Sequence, residues 1–297
     1  MNSVIEGKLT GRGLSEGSLK LYEANLKRLN NGLDIKNLNF LKDTESIIKQ
    51  IKEKKDTTAR SYIIAICSIL KNDLKMQKPY KIYYDLLIEY NDKLKTNNTK
   101  SEKQQEEWIG QDEVKSIYDK LEEEVKLLFK KKNLSVDEYN KMLSFVVLSL
   151  YVLQPPRRNL DYLKLIAVSK YKGTEDKDFN YFDISKKKMI FNNYKTKGTY
   201  QSQEIEVNEK LYLILISWIK KFKIKNYVLQ KMDGTELDKN GITKILYKIF
   251  DKKIGSSLLR NIYLTDKYSE LNKEKIKDAN AMGNSVNVID SNYVKTD

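Results

Sequence analysis

Residues 150–165 read LYVLQPPRRNLDYLKL, and this stretch decides the fold of the region around it. It closes an apolar run that begins after Ser135, which starts the S-x-x-E pattern of a helix capping box. We expect a helix that is apolar on all sides and therefore buried. Pro155 and Pro156 should end it, because proline cannot continue the hydrogen-bond ladder of a helix. Two arginines then follow the end of a buried helix.

Arginine is scarce in this chain, so its positions are informative. Only six of the 55 basic residues are arginine. A guanidinium group can bind two phosphate oxygens at once, which lysine cannot do. Arg157, Arg158 and Arg260 fall in two short segments, PPRRNLDYL and SSLLRNIYL. These segments are candidate phosphate sites, although surface salt bridges would use arginine equally well.

The net charge of +14 and the pI of about 9.3 indicate a polyanionic partner. Lysine and arginine at phosphates release condensed counterions, which favours nucleic acid. Charge alone does not separate DNA from RNA or from an acidic membrane. The chain has no apolar run long enough to cross a bilayer and no secretory signal pattern. We therefore expect an intracellular protein that does not insert into membranes.

The residue types that are missing exclude several kinds of chemistry. The chain has no histidine, so it cannot use a Ser-His-Asp triad or a histidine zinc site. Its single cysteine, Cys67, cannot form an intramolecular disulfide and is expected to be a buried apolar residue. Catalysis must then depend on tyrosine, lysine, arginine, acidic or small polar side chains.

Hydrophobic periodicity predicts a mainly α fold with a small antiparallel β-sheet, of the α+β class. Residues 1–100 are helical in pattern, residues 101–107 are polar and predict a linker, and residues 108–297 form a second domain. Within 179–207, the segments FNYFDI, KMIFNNY and QEIEV are short and rich in aromatic or β-branched residues, which predicts strands. Helical patterns resume in LYLILISWIKKF, NGITKILYKIF, SSLLRNIYLTDKY and NKEKIKDANAM.

Four segments of the second domain resemble the tyrosine recombinase and integrase family. In order, they are LYVLQPPRRNLDYLKL, NNYKTKGTYQSQEIEV, SSLLRNIYL and AMGNSVNVIDSNYVK. The sequence looks in particular like the tyrosine-recombinase-like proteins of large nucleocytoplasmic DNA viruses. This resemblance covers about residues 105–297 and implies a catalytic domain of that type. It also implies that the first hundred residues are a core-binding domain that clamps DNA.

The resemblance assigns the first half of the candidate site. The family's first arginine is followed by an acid three residues later and a leucine seven residues later. Arg158 fits this pattern through Asp161 and Leu165. Arg157 is the alternative phosphate ligand, one residue out of step. The family's hairpin lysine is matched by Lys195, with Lys197 as the alternative. We therefore expect Arg158 and Lys195 in catalysis, and Arg157 and Lys197 as DNA contacts.

The second half of the site follows in the same way. Arg260 matches the family's second arginine, and Tyr293 matches its nucleophile, nine residues after Asn284. Two positions differ from the usual pattern. Ser257 stands where the family often has histidine, and Asn284 replaces the histidine of the usual Gly-His pair. We predict slower chemistry as a result, because neither residue can supply an imidazole.

The resemblance implies DNA cleavage and rejoining through a 3′-phosphotyrosine, without a metal or a cofactor. It also implies double-stranded DNA as the partner, a homotetramer on that DNA, and a viral protein in the host cytoplasm, the virus factory or the virion. Two alternatives stay open within DNA binding. One is relaxation of supercoils, as in type IB topoisomerases, and the other is DNA binding with a decayed active site. A helical RNA-binding protein is a third alternative.

Overall fold

The structure, a computed structural model of the chain, describes residues 2–9, 11–95 and 99–288. It is mainly α-helical with one small sheet, as the sequence predicts. The chain divides into two compact units, Met1–Thr99 and Lys100–Asp297. Each unit has its own hydrophobic core. No helix in the described part of the chain has both the length and the apolar character needed to cross a membrane.

The first unit is entirely helical in its described residues. Its α-helices are α1 (Ser3–Leu9), α2 (Glu16–Leu29), α3 (Thr44–Lys52), α4 (Asp56–Leu70) and α5 (Gln77–Lys95), with 3₁₀ turns at Asn39–Lys42 and Leu74–Met76. The central helix is α4, which contacts the other four. It can be central because it is apolar on most sides, and burying each large aliphatic side chain contributes about 1.5–3 kcal/mol. Cys67 is buried there, and burial raises its pKa to about 12.

The second unit surrounds the predicted buried helix. In chain order its elements are α6 (Glu102–Glu107), α7 (Gln111–Lys126), α8 (Val136–Val152), α9 (Asn159–Leu163), β1 (Leu165–Val168), β2 (Asn180–Asp183), β3 (Lys188–Phe191), α10 (Lys197–Tyr200), β4 (Gln203–Glu206), α11 (Glu209–Phe222), α12 (Gly241–Phe250), α13 (Ser256–Ala281) and α14 (Val286–Val288).

Helix α8 forms the centre of this unit and confirms the prediction for residues 135–153. Both halves of its capping box are made: Ser135 accepts from the backbone of Glu138, whose side chain accepts from the Ser135 N–H. Helices α7, α11 and α12 pack around it. The helix ends at Val152, just before the two prolines. This placement holds the following arginines at the edge of the core.

The sheet is mixed: it contains the predicted antiparallel strands and one further strand that pairs parallel. The three predicted strands, β2, β3 and β4, pair antiparallel in that order. A fourth strand, β1, pairs parallel with β2 and was not predicted. Its four residues, LIAV, follow α9 after a single residue, Lys164, with no glycine or proline to mark a turn. A short apolar run of this kind does not distinguish strand from helix.

Two further elements differ from the predictions. The segment predicted as a linker contains α6, whose capping box joins Ser101 and Gln104. The two helical patterns SSLLRNIYLTDKY and NKEKIKDANAM belong to one continuous helix, the 26-residue α13. No proline or glycine interrupts its sequence, so nothing in the backbone ends the helix between the two patterns.

Candidate functional site

Arg158 is positioned by the end of α8. Pro155 and Pro156 stop that helix, and the backbone at Arg158 is extended, with φ −76° and ψ 150°. Arg158 is the N-cap residue of α9, and its side chain makes no capping hydrogen bond. The side chain is half-buried. Arg158 therefore lies half-buried after the proline stop, and its side chain is not used to cap α9.

Arg260 and Ser257 lie on one face of the first turns of α13. Arg260 Nη2 donates to Ser257 Oγ over 3.3 Å, and Nε donates to the Ser256 carbonyl over 3.3 Å. The spacing of three residues puts both side chains on the same side of the helix. Ser257 is exposed and Arg260 is half-buried. The predicted pair is therefore close together and accessible.

Arg158 lies near enough to Arg260 for its positive charge to affect the pKa of Arg260. Burial lowers the pKa of Arg260, and the positive charge of Arg158 is the next largest cause. Among the described residues, neither guanidinium forms an ion pair with a carboxylate. Asp161 lies near enough to offset part of this repulsion. Two neighbouring cations without a bound carboxylate form a local positive potential that suits an anion such as phosphate.

Arg157 is placed differently from its neighbour in sequence. Its Nε donates to Asp161 Oδ2 over 3.0 Å, and its Nη1 donates to Gln203 Oε1 over 3.1 Å. Its guanidinium carbon lies 3.8 Å from the centre of the Phe191 ring. The side chain is only 16% exposed. Arg157 was predicted as a DNA contact; in the structure, protein contacts use its Nε and Nη1 and cover one face of its guanidinium group.

Asp161 is the buried carboxylate behind the site. Its side chain is 2% exposed, and burial raises its pKa while the charge of Arg157 opposes that rise. The backbone of Asp161 accepts a hydrogen bond from Asn180 Nδ2 over 2.7 Å. Asn180 also bonds both the carbonyl and the N–H of Asn193. These contacts connect α9 to the chain that follows β3.

The predicted lysines lie in the connection between β3 and β4, residues 192–202. Lys195 and Lys197 are both exposed. The connection is longer than the predicted turn, because Lys197 begins the single-turn helix α10. No described residue forms a hydrogen bond or an ion pair with the Lys195 ammonium group. Its neighbour Tyr194 is buried, with its ring 5.2 Å from the Arg157 guanidinium carbon.

Asn284 is positioned by the end of α13. Gly283 has a positive φ of 66°, as expected for a glycine just after a helix. The Asn284 N–H donates to the Ala279 carbonyl over 2.8 Å, and the Gly283 N–H donates to the Asn280 carbonyl over 3.1 Å. No described contact joins Asn284 to the two arginines. Tyr293, the predicted nucleophile, lies outside the described residues.

A polar cleft of about 390 Å³ opens beside Ser257. Asn159 lines it and donates to Thr243 Oγ1 over 2.7 Å. The Asn159 side chain also accepts a hydrogen bond of 2.7 Å from Tyr151, a buried tyrosine. Burial raises the pKa of Tyr151 well above its ordinary value, so its hydroxyl stays neutral. Tyr151 therefore supports the cleft and does not provide a phenolate near it.

Three polar residues that support the site, one of them buried and two half-buried, were not predicted. Asn180 carried a usable signal, because it is a polar residue inside the aromatic strand segment FNYFDI. Gln203 and Asn159 carried none, since Arg157 is 46 residues from Gln203 and Thr243 is 84 residues from Asn159. Contacts at such separations depend on the tertiary fold.

Comparison with solved structures finds similarity to one described as the crystal structure of XerA recombinase. The similarity covers 99% of this chain and 93% of that chain, with 13% sequence identity and a TM-score of 0.36. No protein-family model and no curated protein matches the chain. A likeness at this identity and score carries no weight for the activity of the chain.

Proposed function

We propose that this chain cleaves and rejoins duplex DNA through a 3′-phosphotyrosine intermediate formed by Tyr293. The supporting observation is a pair of half-buried arginines: Arg158 lies near enough for its charge to lower the pKa of Arg260, and neither forms an ion pair with a carboxylate in the described part of the chain. The net charge of +14 supports a polyanionic substrate. The order of the four family-like segments supports the choice of DNA cleavage over simple phosphate binding.

In the proposed reaction, the Tyr293 oxygen attacks a phosphodiester in line with the bond to the 5′ oxygen. A bond from phosphorus to the tyrosine oxygen forms, and the bond to the 5′ oxygen breaks. Arg158 and Arg260 stabilise the negative charge that builds up on the nonbridging oxygens, which is usually the largest catalytic contribution. Lys195 protonates the departing 5′ oxygen, and water takes the tyrosine proton. Rejoining reverses these steps and needs no external energy.

Ser257 and Asn284 take the positions of the family's imidazoles. The Ser257 oxygen accepts a hydrogen bond from Arg260, so its own hydrogen is free to donate to a phosphate oxygen. Asn284 can donate through its amide. Neither group is a base near neutral pH. Tyr293 must then lose its proton to water in the field of the arginines, because a phenol has a pKa of about 10. We expect slow cleavage for this reason.

The test is covalent trapping on a pool of nicked duplexes with randomised sequence around the nick. Cleavage next to the nick releases a short 5′-hydroxyl fragment that diffuses away, so a covalent protein–DNA adduct accumulates. We expect the adduct with the wild-type chain and none with Tyr293→Phe. Tyr268→Phe, which removes the hydroxyl of an exposed tyrosine on α13, should behave like the wild type. An adduct that persists in Tyr293→Phe would show that another residue is the nucleophile.

A second candidate, DNA binding without cleavage, is favoured by the complete absence of histidine. It predicts no adduct from the wild-type chain, together with duplex binding that weakens as salt rises. Topoisomerase activity would instead give an adduct and would relax plasmids that lack a preferred sequence. Strand exchange restricted to one sequence would identify a recombinase. Equal competition by RNA would contradict all of these DNA functions.

A further inference from the structure

The connection between β3 and β4, residues 192–202, carries both candidate lysines. Its two ends are the paired residues Phe191 and Gln203, which face each other across the two strands. Whatever holds this pair sets the starting geometry of the whole connection. Arg157 is the residue in contact with both of its members.

Arg157 touches the connection at three points. It donates to the Gln203 side chain over 3.1 Å, at the end of the connection. It lies over the Phe191 ring at 3.8 Å, at the beginning of the connection. It also lies 5.2 Å from the ring of Tyr194, the residue directly before Lys195. Tyr194 in turn donates to the Gln201 carbonyl over 2.7 Å, which closes the connection on itself.

Arg157 is itself held in place from the opposite side. Asp161, nearly completely buried, accepts from its Nε over 3.0 Å. The next residue in the chain is Arg158, one of the two arginines proposed to bind phosphate. A single peptide bond therefore joins the residue that contacts the lysine connection to a residue of the proposed phosphate site.

We propose that Arg157 is a positioning residue that sets the location of Lys195 relative to the phosphate bound by Arg158. The inference rests on the proposed DNA cleavage and assigns Arg157 a role other than direct phosphate binding. A planar guanidinium is required, because it must donate along two edges and stack on an aromatic ring at the same time. A lysine at this position could make only one of these contacts well.

A displaced Lys195 should affect the departure of the 5′ oxygen. If Lys195 is displaced, protonation of the departing 5′ oxygen is impaired and the displacement slows, while the nucleophile Tyr293 and the phosphate contacts of Arg158 and Arg260 are unchanged. A substrate with sulfur in place of the bridging 5′ oxygen releases a thiolate. A thiol is much more acidic than an alcohol, with a pKa of about 8.5 for cysteine, so this leaving group needs no proton. Loss of positioning should therefore be masked on the sulfur substrate.

The experiment compares rates of adduct formation on matched oxygen and sulfur substrates. Arg157→Met should be slowed by roughly a hundredfold on the oxygen substrate, the lower end of the contribution of a general acid. On the sulfur substrate it should return to near the wild-type rate. Lys195→Ala should show the same pattern, and combining the two changes should add little. Arg157→Lys should not restore the oxygen rate. Arg158→Ala should be slow on both substrates.

Two further variants control for misfolding. Gln203→Leu removes only one contact of Arg157 and should show a smaller defect with the same dependence on the leaving group. Lys188→Met removes a charge from the same pair of strands at the end away from the connection, where Lys188 is the register partner of Glu206 and forms an ion pair with Glu204. It should match the wild type on both substrates. Equal losses of Arg157→Met on oxygen and sulfur would overturn the proposal, since Arg157 would then act on the phosphate or on folding.

Amide hydrogen exchange separates failure of this inference from failure of the proposed function. If the wild-type chain forms no adduct on either substrate, the proposed cleavage is wrong. The positioning contact is then judged from exchange alone. Arg157→Met should speed the exchange of residues 192–202 and leave the amides of α8 unchanged. Unchanged exchange in residues 192–202 would show that Arg157 does not hold the connection.

Discussion

Two sides of the candidate site differ in how their polar groups are satisfied. On the closed side, the side chains are buried or half-buried and bonded to one another or to the backbone: Arg157, Asp161, Asn180 and Gln203. On the open side, the side chains are half-buried or exposed and form no ion pair with a carboxylate in the described residues: Arg158, Arg260, Ser257 and Lys195. The boundary between the two sides runs between Arg157 and Arg158, which are adjacent in the chain.

The difference separates residues that stabilise the fold from residues that are available to a ligand. A buried polar group must be bonded, because leaving it unsatisfied costs about 1–3 kcal/mol. On the closed side, contacts between the Arg157–Asp161 segment and the sheet satisfy most of these groups, and Asp161 Oδ1 is the exception, with no hydrogen-bond partner among the described residues. On the open side, Arg260 bonds only neutral partners, a hydroxyl and a backbone carbonyl, so its positive charge remains available to a phosphate. Substitutions on the two sides should therefore affect different measurements.

The largest effect is expected on the open side, from Arg158→Ala. Adduct formation should fall by about 10²–10³-fold, the usual loss when one preorganised donor to a developing charge is removed. The thermal stability should change little, because Arg158 forms no ion pair in the described part of the chain. Lys132→Ala, which removes an exposed positive charge elsewhere in the same unit, should leave the rate unchanged. A stable Arg158→Ala protein with the wild-type rate would remove Arg158 from the site.

The second effect is expected on the closed side, from Asn180→Ala. Asn180 is fully buried and bonds Asp161 and Asn193. Its loss leaves their backbone groups without partners and should lower the free energy of unfolding by about 1–3 kcal/mol. Denaturant unfolding measures the change. The exposed Asn133→Ala should stay within about 0.5 kcal/mol of the wild type. Equal stability of both variants would contradict the division into a closed and an open side.

The smallest effect is expected from Gly283→Ala. This variant tests whether Asn284 acts with the open side of the site. The φ of 66° at Gly283 suits glycine, so alanine should lower the free energy of unfolding by about 1–2 kcal/mol. Gly198→Ala, at a helical position with open space around it, should be neutral or slightly stabilising. If Asn284 acts with the open side, Gly283→Ala should also slow adduct formation. A normal rate in a measurably destabilised variant would exclude that role.

The sequence predicted the helices well because their signals are local. The capping box at Ser135, the prolines after α8 and the glycine after α13 each act on neighbouring backbone. The strands β2, β3 and β4 were also predicted, since each is a short aromatic or β-branched segment between turns. The sequence did not predict β1, because its parallel partner β2 is reached through a connection with no helix to mark a crossover.

The candidate site could be predicted only in part, for the same physical reason. The proximity of Ser257 and Arg260 follows from their spacing on one helix. Arg158 and Arg260 are about a hundred positions apart in the chain, yet the charge of one affects the pKa of the other. Only the resemblance to a known family anticipated that the two arginines lie near each other. The contact of Arg157 with Gln203 had no signal at all, because it depends on the position of β4 against α9.

By itself, the sequence determined which functional groups this protein has: a surplus of positive charge, no imidazole, and two adjacent arginines after the end of a helix. Only the tertiary structure decided which arginine faces inward. The backbone at Arg158 is extended, and neighbouring side chains on extended backbone point to opposite sides. Phe191 and Gln203, far along the chain, combine with the nearby Asp161 to bind Arg157 on the inner side. Arg158 is thereby left on the open side.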